Sequence, residues 1–170
     1  MRVYRSRLLF DGYNDNWKKA YFNSKNGGFN VYHSSHQFST NKPSKEYMTG
    51  GEAEKYVGKM LTDKYGKKIE YLPENGKGTG KPDLKFDDHT WDVKYIPTSN
   101  ENTIRKYIEE ARKAERVIFY WDGKNNQLGK LKSATERTLG KFAKKGKAET
   151  LPSVYYMTKD GTLKNLMLVR

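Results

Sequence analysis

The stretch that most constrains this chain is Arg116-Val117-Ile118-Phe119-Tyr120-Trp121, an unbroken apolar and aromatic run behind one arginine. It is far too short to cross a membrane, which takes about 20 residues. With no polar face to offer water, it reads as a strand covered on both sides, as in the middle of a parallel-type sheet. Residues 102–115 before it set Ile104, Tyr107, Ile108 and Ala111 at helical spacing, with Arg105, Lys106, Glu109 and Arg112 outside that stripe. Earlier still, Gly80 to Ile96 alternates with period two. Strand, helix and buried strand make a βαβ crossover. The expected fold is α/β (α+β), a mixed central β-sheet with flanking helices.

The alternating stretch reads as a hairpin turning at Asp87-Asp88-His89. On its second strand Trp91, Val93 and Tyr95 take one face, and Asp92, Lys94 and Ile96 the other. A two-residue loop at Asp88-His89 would set Asp87 opposite Thr90, Lys85 opposite Asp92 and Asp83 opposite Lys94. Asp83, Asp92 and Lys94 would then share one patch, with opposed Cβ atoms about 5 Å apart. Upstream, Thr49-Gly50-Gly51-Glu52 is a capping-box start for a helix that ends near Tyr65-Gly66. Ala53, Val57, Met60 and Leu61 form its apolar stripe, and Glu54 lies on the same face. A carboxylate there needs a partner, a metal or a catalytic task. Glu52 already serves the cap, so Glu54 is the better candidate for chemistry.

Residues 1–48 read as an N-terminal β-rich extension and 49–170 as the main domain, with a turn at Asn26-Gly27-Gly28 entering a strand. His33 and His36 stand at HxxH spacing, but in strand-like surroundings where two polar loop histidines are the plainer reading. An acid–base role for them in an RNase is the alternative. The glycine-rich loop from Glu74 to Lys81 lacks the Gly-Lys-Ser/Thr of a nucleotide P-loop and reads as a substrate-contacting loop or a plain connection. After a turn at 123–127, an amphipathic helix at about 131–144 turns Leu128, Leu131, Ala134, Leu139 and Phe142 inward.

Lys and Arg number 33 against 20 Asp and Glu, a formal net charge of +13. Lys124, Lys130, Lys132, Arg137, Lys141, Lys144, Lys145 and Lys147 make the last helix and its flanks the most basic part. That track, with Lys81, Lys85, Arg105 and Lys106, suits a polyanion, and nucleic acid is the first candidate partner. No apolar run suits a membrane, and Leu8-Leu9-Phe10 is too short for a signal-peptide core, so cytoplasm is the expected site of action. The absence of cysteine excludes disulfides and thiolate zinc sites.

Pro82-Asp83, eight residues, then Asp92-Val93-Lys94, with Glu54 on an upstream helix, resembles the PD-(D/E)xK nuclease motif. The similarity spans about residues 50–121 and is nearest to the CdiA-type contact-dependent inhibition and phage-associated toxin tRNase domains. It includes the Gly50-Gly51-Glu52 helix start, Leu72-Pro73-Glu74 and Asn102-Thr103-Ile104. The resemblance implies a restriction-endonuclease-like core and a Mg²⁺-dependent endonuclease (Mn²⁺ in its place, ahead of Zn²⁺), a toxin RNase acting on tRNA. It implies metal ligands from Asp83, Asp92, the Val93 carbonyl and Glu54, with Lys94 positioning or deprotonating a water or stabilising the transition state. Glu52 and Glu74 are secondary carboxylates. It also implies a cognate immunity protein, and delivery as part of a larger secreted or phage-borne protein. The same core acting on DNA, a metal-independent RNase built on His33, His36 or His89, and a non-catalytic nucleic-acid-binding domain are the competing readings.

Overall fold

The computed structural model describes residues 12–42, 44–74, 80–97, 100–122 and 127–169. Along the chain these form β1 (Trp17–Phe22), β2 (Phe29–His33), α1 (Gly50–Tyr65), β3 (Lys68–Tyr71), β4 (Leu84–Phe86) and β5 (His89–Tyr95). Then come α2 (Glu101–Glu110), a 3-10 turn (Ala111–Lys113), β6 (Arg116–Tyr120), α3 (Leu128–Lys144), a second 3-10 turn (Ala148–Thr150), β7 (Ser153–Met157) and β8 (Leu163–Met167). All the strands join one 8-stranded sheet in chain order. β2–β3, β5–β6 and β6–β7 run parallel and the remaining neighbours antiparallel, so the sheet is mixed and the fold is α+β. The β1–β2 hairpin of the N-terminal stretch lies at one edge, joined to the rest through β3. Among the described residues no helix is long and apolar enough to cross a membrane.

The helices divide between the two faces. Ala53, Val57 and Leu61 of α1 pack with Tyr71, Leu84, Phe86, Trp91, Ile118 and Tyr120. Ile104 and Ile108 of α2, with Leu131, Ala134 and Phe142 of α3, pack with Ile96, Val117, Phe119 and Val154. β6 therefore sends alternate side chains into two cores, which is why its sequence carries no polar face. Each such fully buried side chain contributes about 1.5–3 kcal/mol. On β5 the same alternation sends Trp91 toward α1, and Asp92 and Lys94 toward α2.

Local chemistry sets the ends. Thr49 caps α1 by accepting the Glu52 N–H, and Gly66 closes it at φ +67°, a left-handed conformation that costs glycine least. The hairpin differs from the expected one. Its loop is Asp87-Asp88, with φ of +52° and +59°, and Phe86 pairs with His89, Lys85 with Thr90 and Leu84 with Trp91. This is the turn in which both central residues are left-handed, and it matches the twist of the flanking strands. Aspartates tolerate that conformation well. Each residue's partner thus moves by two positions, so Lys85 does not oppose Asp92 and Asp83 does not oppose Lys94. A shift of two leaves every side chain on its expected face.

Candidate active site

Asp83 stands just before β4, where the strand is stitched on both sides. Its carbonyl accepts the Leu72 N–H at 2.9 Å, and its own N–H donates to the Trp91 carbonyl at 3.0 Å. The regular ladder ends at Leu84–Trp91, and Asp83 sits at a bend just before it, where the charge of Asp92 bears on its carboxylate. The Val93 N–H donates to Asp83 Oδ2 at 2.9 Å, fixing the carboxylate beside β5.

Asp92 is 0% exposed, and neither carboxylate oxygen has a hydrogen-bond partner. Two ammonium groups face it instead: Lys94 Nζ lies 3.4 Å from Oδ2 and Lys113 Nζ 3.4 Å from Oδ1. Lys94 also lies 3.7 Å from Glu110 Oε2 on α2. A charge is costly to bury unless an opposite charge meets it, and these two ammonium groups do so.

The third carboxylate arrives from the other face. Glu54 is buried on α1, its Oε1 2.9 Å from His36 Nε2. His36 Nδ1 lies 2.7 Å from the Leu72 carbonyl, which can only accept, so this nitrogen carries a proton. Glu74 folds back to within 3.6 Å of the same nitrogen. Phe38 stands edge-on to the imidazole at 4.6 Å, and the Tyr71 hydroxyl donates to the Glu54 main-chain carbonyl at 3.0 Å. Glu54, Asp83, Val93 and Lys94 line one cavity of about 470 Å³, with Ser39, Lys42 and Tyr107 completing its walls.

Charge crowding shows in the protonation of these groups. Burial pushes Asp83 well above the ordinary aspartate value, the charges of Asp92 and Glu54 push it further, and the Val93 N–H pulls back. Burial likewise raises Glu54, against the opposing pull of His36. Burial disfavours charge on His36, yet the hydrogen bond and charge of Glu54 outweigh it and the imidazole is raised. Lys94 follows the same pattern, with Asp92, Asp83 and Glu110 overcoming its desolvation. At neutral pH it is a cation.

The donor chemistry fits a hard divalent ion. Mg²⁺ is held through one or two carboxylates, with water and substrate phosphate filling its other positions. Asp83 and Glu54 are the carboxylates that open onto the cavity, with Asp92 buried behind them and facing Lys94 and Lys113. Among the described residues, no three His, Asp or Glu side chains gather into a ready-made ion cage.

The other expected residues are dispersed. Glu52 is exposed, its N–H donating to the Thr49 hydroxyl at 3.0 Å, and it does not line the cavity. His33 turns to Ser35 at 2.8 Å and shares no partner with His36. His89 lies at the far end of β5, about 16 Å along the strand from Lys94, and meets Glu115 at 2.8 Å. Lys81, Lys85, Lys106, Lys130, Lys132, Lys144, Lys145 and Lys147 are exposed and Arg105 is half-buried. Arg137 pairs with Glu101 and Lys141 with Glu109, both at 2.9 Å, so α2 already neutralises part of the α3 track. Segment 75–79 of the glycine-rich loop, Lys124 and Leu8-Leu9-Phe10 lie outside the described residues.

Sequence reasoning missed Lys113, Glu110, Lys42 and Tyr107. Lys113 had a signal, because the short link from the crossover helix back into β6 must pass beside β5. Lys42 had none, since its segment has no regular pattern. No protein-family model matches this chain, and no curated protein or solved structure does.

Proposed function

We propose that this chain is a Mg²⁺-dependent endonuclease that hydrolyses phosphodiester bonds in nucleic acid, with tRNA as the favoured substrate. One observation carries the reading. Asp83, whose carboxylate feels the charge of the buried Asp92, lines the same cavity as Glu54 and the cationic Lys94. The sequence resemblance to PD-(D/E)xK toxin nucleases supports it, and the excess of basic residues supports a polyanionic substrate.

Asp83 and Asp92 would hold the ion, with the Val93 carbonyl and Glu54 contributing directly or through water. When bound, a divalent ion neutralises phosphate charge and lowers the pKa of a water. Lys94, a cation before any metal enters, is suited to hold a phosphate oxygen or a water and to stabilise the negative charge of the transition state. Removing a proton is the less suitable task for it. His36 holds Glu54 in place, and Lys94 and Lys113 face the two oxygens of Asp92. Exposed lysines would hold the phosphate backbone without choosing the sequence. Because water attacks, the ribose 2′-hydroxyl is not required. A cognate immunity protein covering a basic face belongs to the same proposal, and so does delivery by a larger secreted or phage-borne protein.

The test is cleavage of total tRNA and plasmid DNA by purified protein, with Mg²⁺ and with EDTA. Cleavage that needs Mg²⁺, survives 2′-deoxy substitution at the cut site and falls at least about 10²-fold in Lys94→Ala is expected. Cleavage that persists in EDTA and is abolished by 2′-deoxy substitution would overturn the reading.

A further inference from the structure

A second cavity, of about 510 Å³, opens between the β1–β2 hairpin and α1, walled by Tyr21, Tyr32, Phe38 and Tyr71 and rimmed by Lys55 and Lys59. The Lys55 ammonium lies 4.4 Å from the Phe38 ring centroid and that of Lys59 5.4 Å from Tyr21. Neither forms an ion pair with a carboxylate among the described residues. Of the acids on α1, Glu54 is bonded to His36, and Asp63 accepts from the Asn23 amide and from the hydroxyl of Tyr21, at 2.8 and 2.5 Å, which sets one carboxylate beside the Tyr21 wall. The cleft thus combines aromatic walls with two lysines outside any ion pair among the described residues, complementary to a planar ring that carries a negative charge. Its size is in the range of small-molecule sites, about 300–1,000 Å³.

Its place matters as much as its chemistry. Phe38 and Lys55 belong to this cleft, while their chain neighbours Ser39 and Glu54 line the carboxylate cavity. The two cavities therefore share a wall one residue thick on the strap before α1 and again on α1 itself. We propose that the cleft binds one unpaired nucleotide, its base against the aromatic wall and its phosphate between Lys55 and Lys59. This inference rests on the endonuclease reading and narrows its substrate. A strand crossing the carboxylate cavity would place a neighbouring unstacked nucleotide here, which selects single-stranded or looped nucleic acid over a continuous duplex. Stacking on aromatic rings tolerates any base, so the cleft sets the conformation of the substrate more than its sequence.

The experiment titrates the full chain, in EDTA, with AMP, adenosine, ribose 5-phosphate and inorganic phosphate, followed by NMR. Wild type is expected to saturate with AMP and to bind ribose 5-phosphate and phosphate at least about tenfold more weakly, since base stacking contributes about that factor or more. The exposed double variant Lys55→Glu/Lys59→Glu should lose AMP binding at least tenfold, and Tyr32→Leu, which keeps the apolar volume but not the ring, should weaken it as well. On a single-stranded oligonucleotide the double variant should also reduce the salt slope by about 0.7, the loss of one neutralised phosphate. Equal binding of AMP and phosphate, or AMP binding unchanged in the double variant, overturns the cleft. Mg²⁺-dependent cleavage without AMP binding would overturn the cleft and leave the endonuclease reading standing. AMP binding without cleavage of any substrate would do the opposite.

Discussion

Replacing Asp83 with Asn is expected to stabilise the protein in the absence of metal and to inactivate it. Burial, then the charges of Asp92 and Glu54, oppose ionisation of Asp83, and two unit charges about 5 Å apart repel by about 3 kcal/mol at an effective dielectric of about 20. The attraction of Lys94 for Asp83, lost in the same substitution, offsets about half of that and leaves a net gain of about 1–2 kcal/mol. Asn keeps almost the same volume and an oxygen to accept the Val93 N–H. In a chain of this length the gain corresponds to a melting temperature higher by about 2–8 °C. The effect depends on pH in a fixed direction. Folded Asp83 holds its proton well above the ordinary 3.8, so above that value the folded state binds more protons than the unfolded one. Wild-type stability from this group is fully present below about pH 4 and is lost as pH rises through the raised pKa. The Asn variant has no such descent, so the gap between the two proteins should open as pH climbs. Calorimetric melts in EDTA between pH 4 and 8 measure it. Mg²⁺ should then reverse the order, because at 100 times its Kd it would add about 2.7 kcal/mol to wild type and little to the variant. A variant that melts below wild type at pH 8 in chelator would refute the charge-crowding argument, as would a gap that ignores pH.

Asp92→Asn should act in the opposite direction: it relieves the same repulsion but removes the anion that faces both Lys94 and Lys113, while Lys94 keeps Glu110, for a net cost of at most about 2 kcal/mol; urea unfolding at pH 7 checks it. Glu52→Ala should cost no more than about 1 kcal/mol and leave cleavage unchanged, because Glu52 is exposed at the helix start and does not line the cavity. Gly58→Ala should lower stability by about 1–3 kcal/mol, since the added methyl would run into the Tyr71 hydroxyl that bonds to the Glu54 carbonyl; thermal melts read that loss directly.

The residues that could be placed from the sequence alone are those whose position follows from a short-range rule. β6 announced itself because a strand with no polar side has only one place to go. Thr49 and Gly66 marked both ends of α1 through caps that span a few residues. Asp92 and Lys94 could be put on one face because side-chain parity along a strand does not depend on the partner, and the expected partners in the hairpin were off by two. The turn decided it, since two adjacent aspartates in left-handed conformation compete with a neighbouring loop that the alternation fits equally well. His36 was out of reach for a different reason. Its partners are Glu54, 18 residues away on a helix, and the Leu72 carbonyl, 36 away at the end of a strand. No local pattern encodes a bond of that span. What the sequence does hold is the other half of the pair, a carboxylate on the apolar stripe of α1, which requires that some cation or proton donor come to meet it. The general lesson is asymmetric: a misplaced charge shows where a site needs a partner, and only the tertiary fold shows which residue answers.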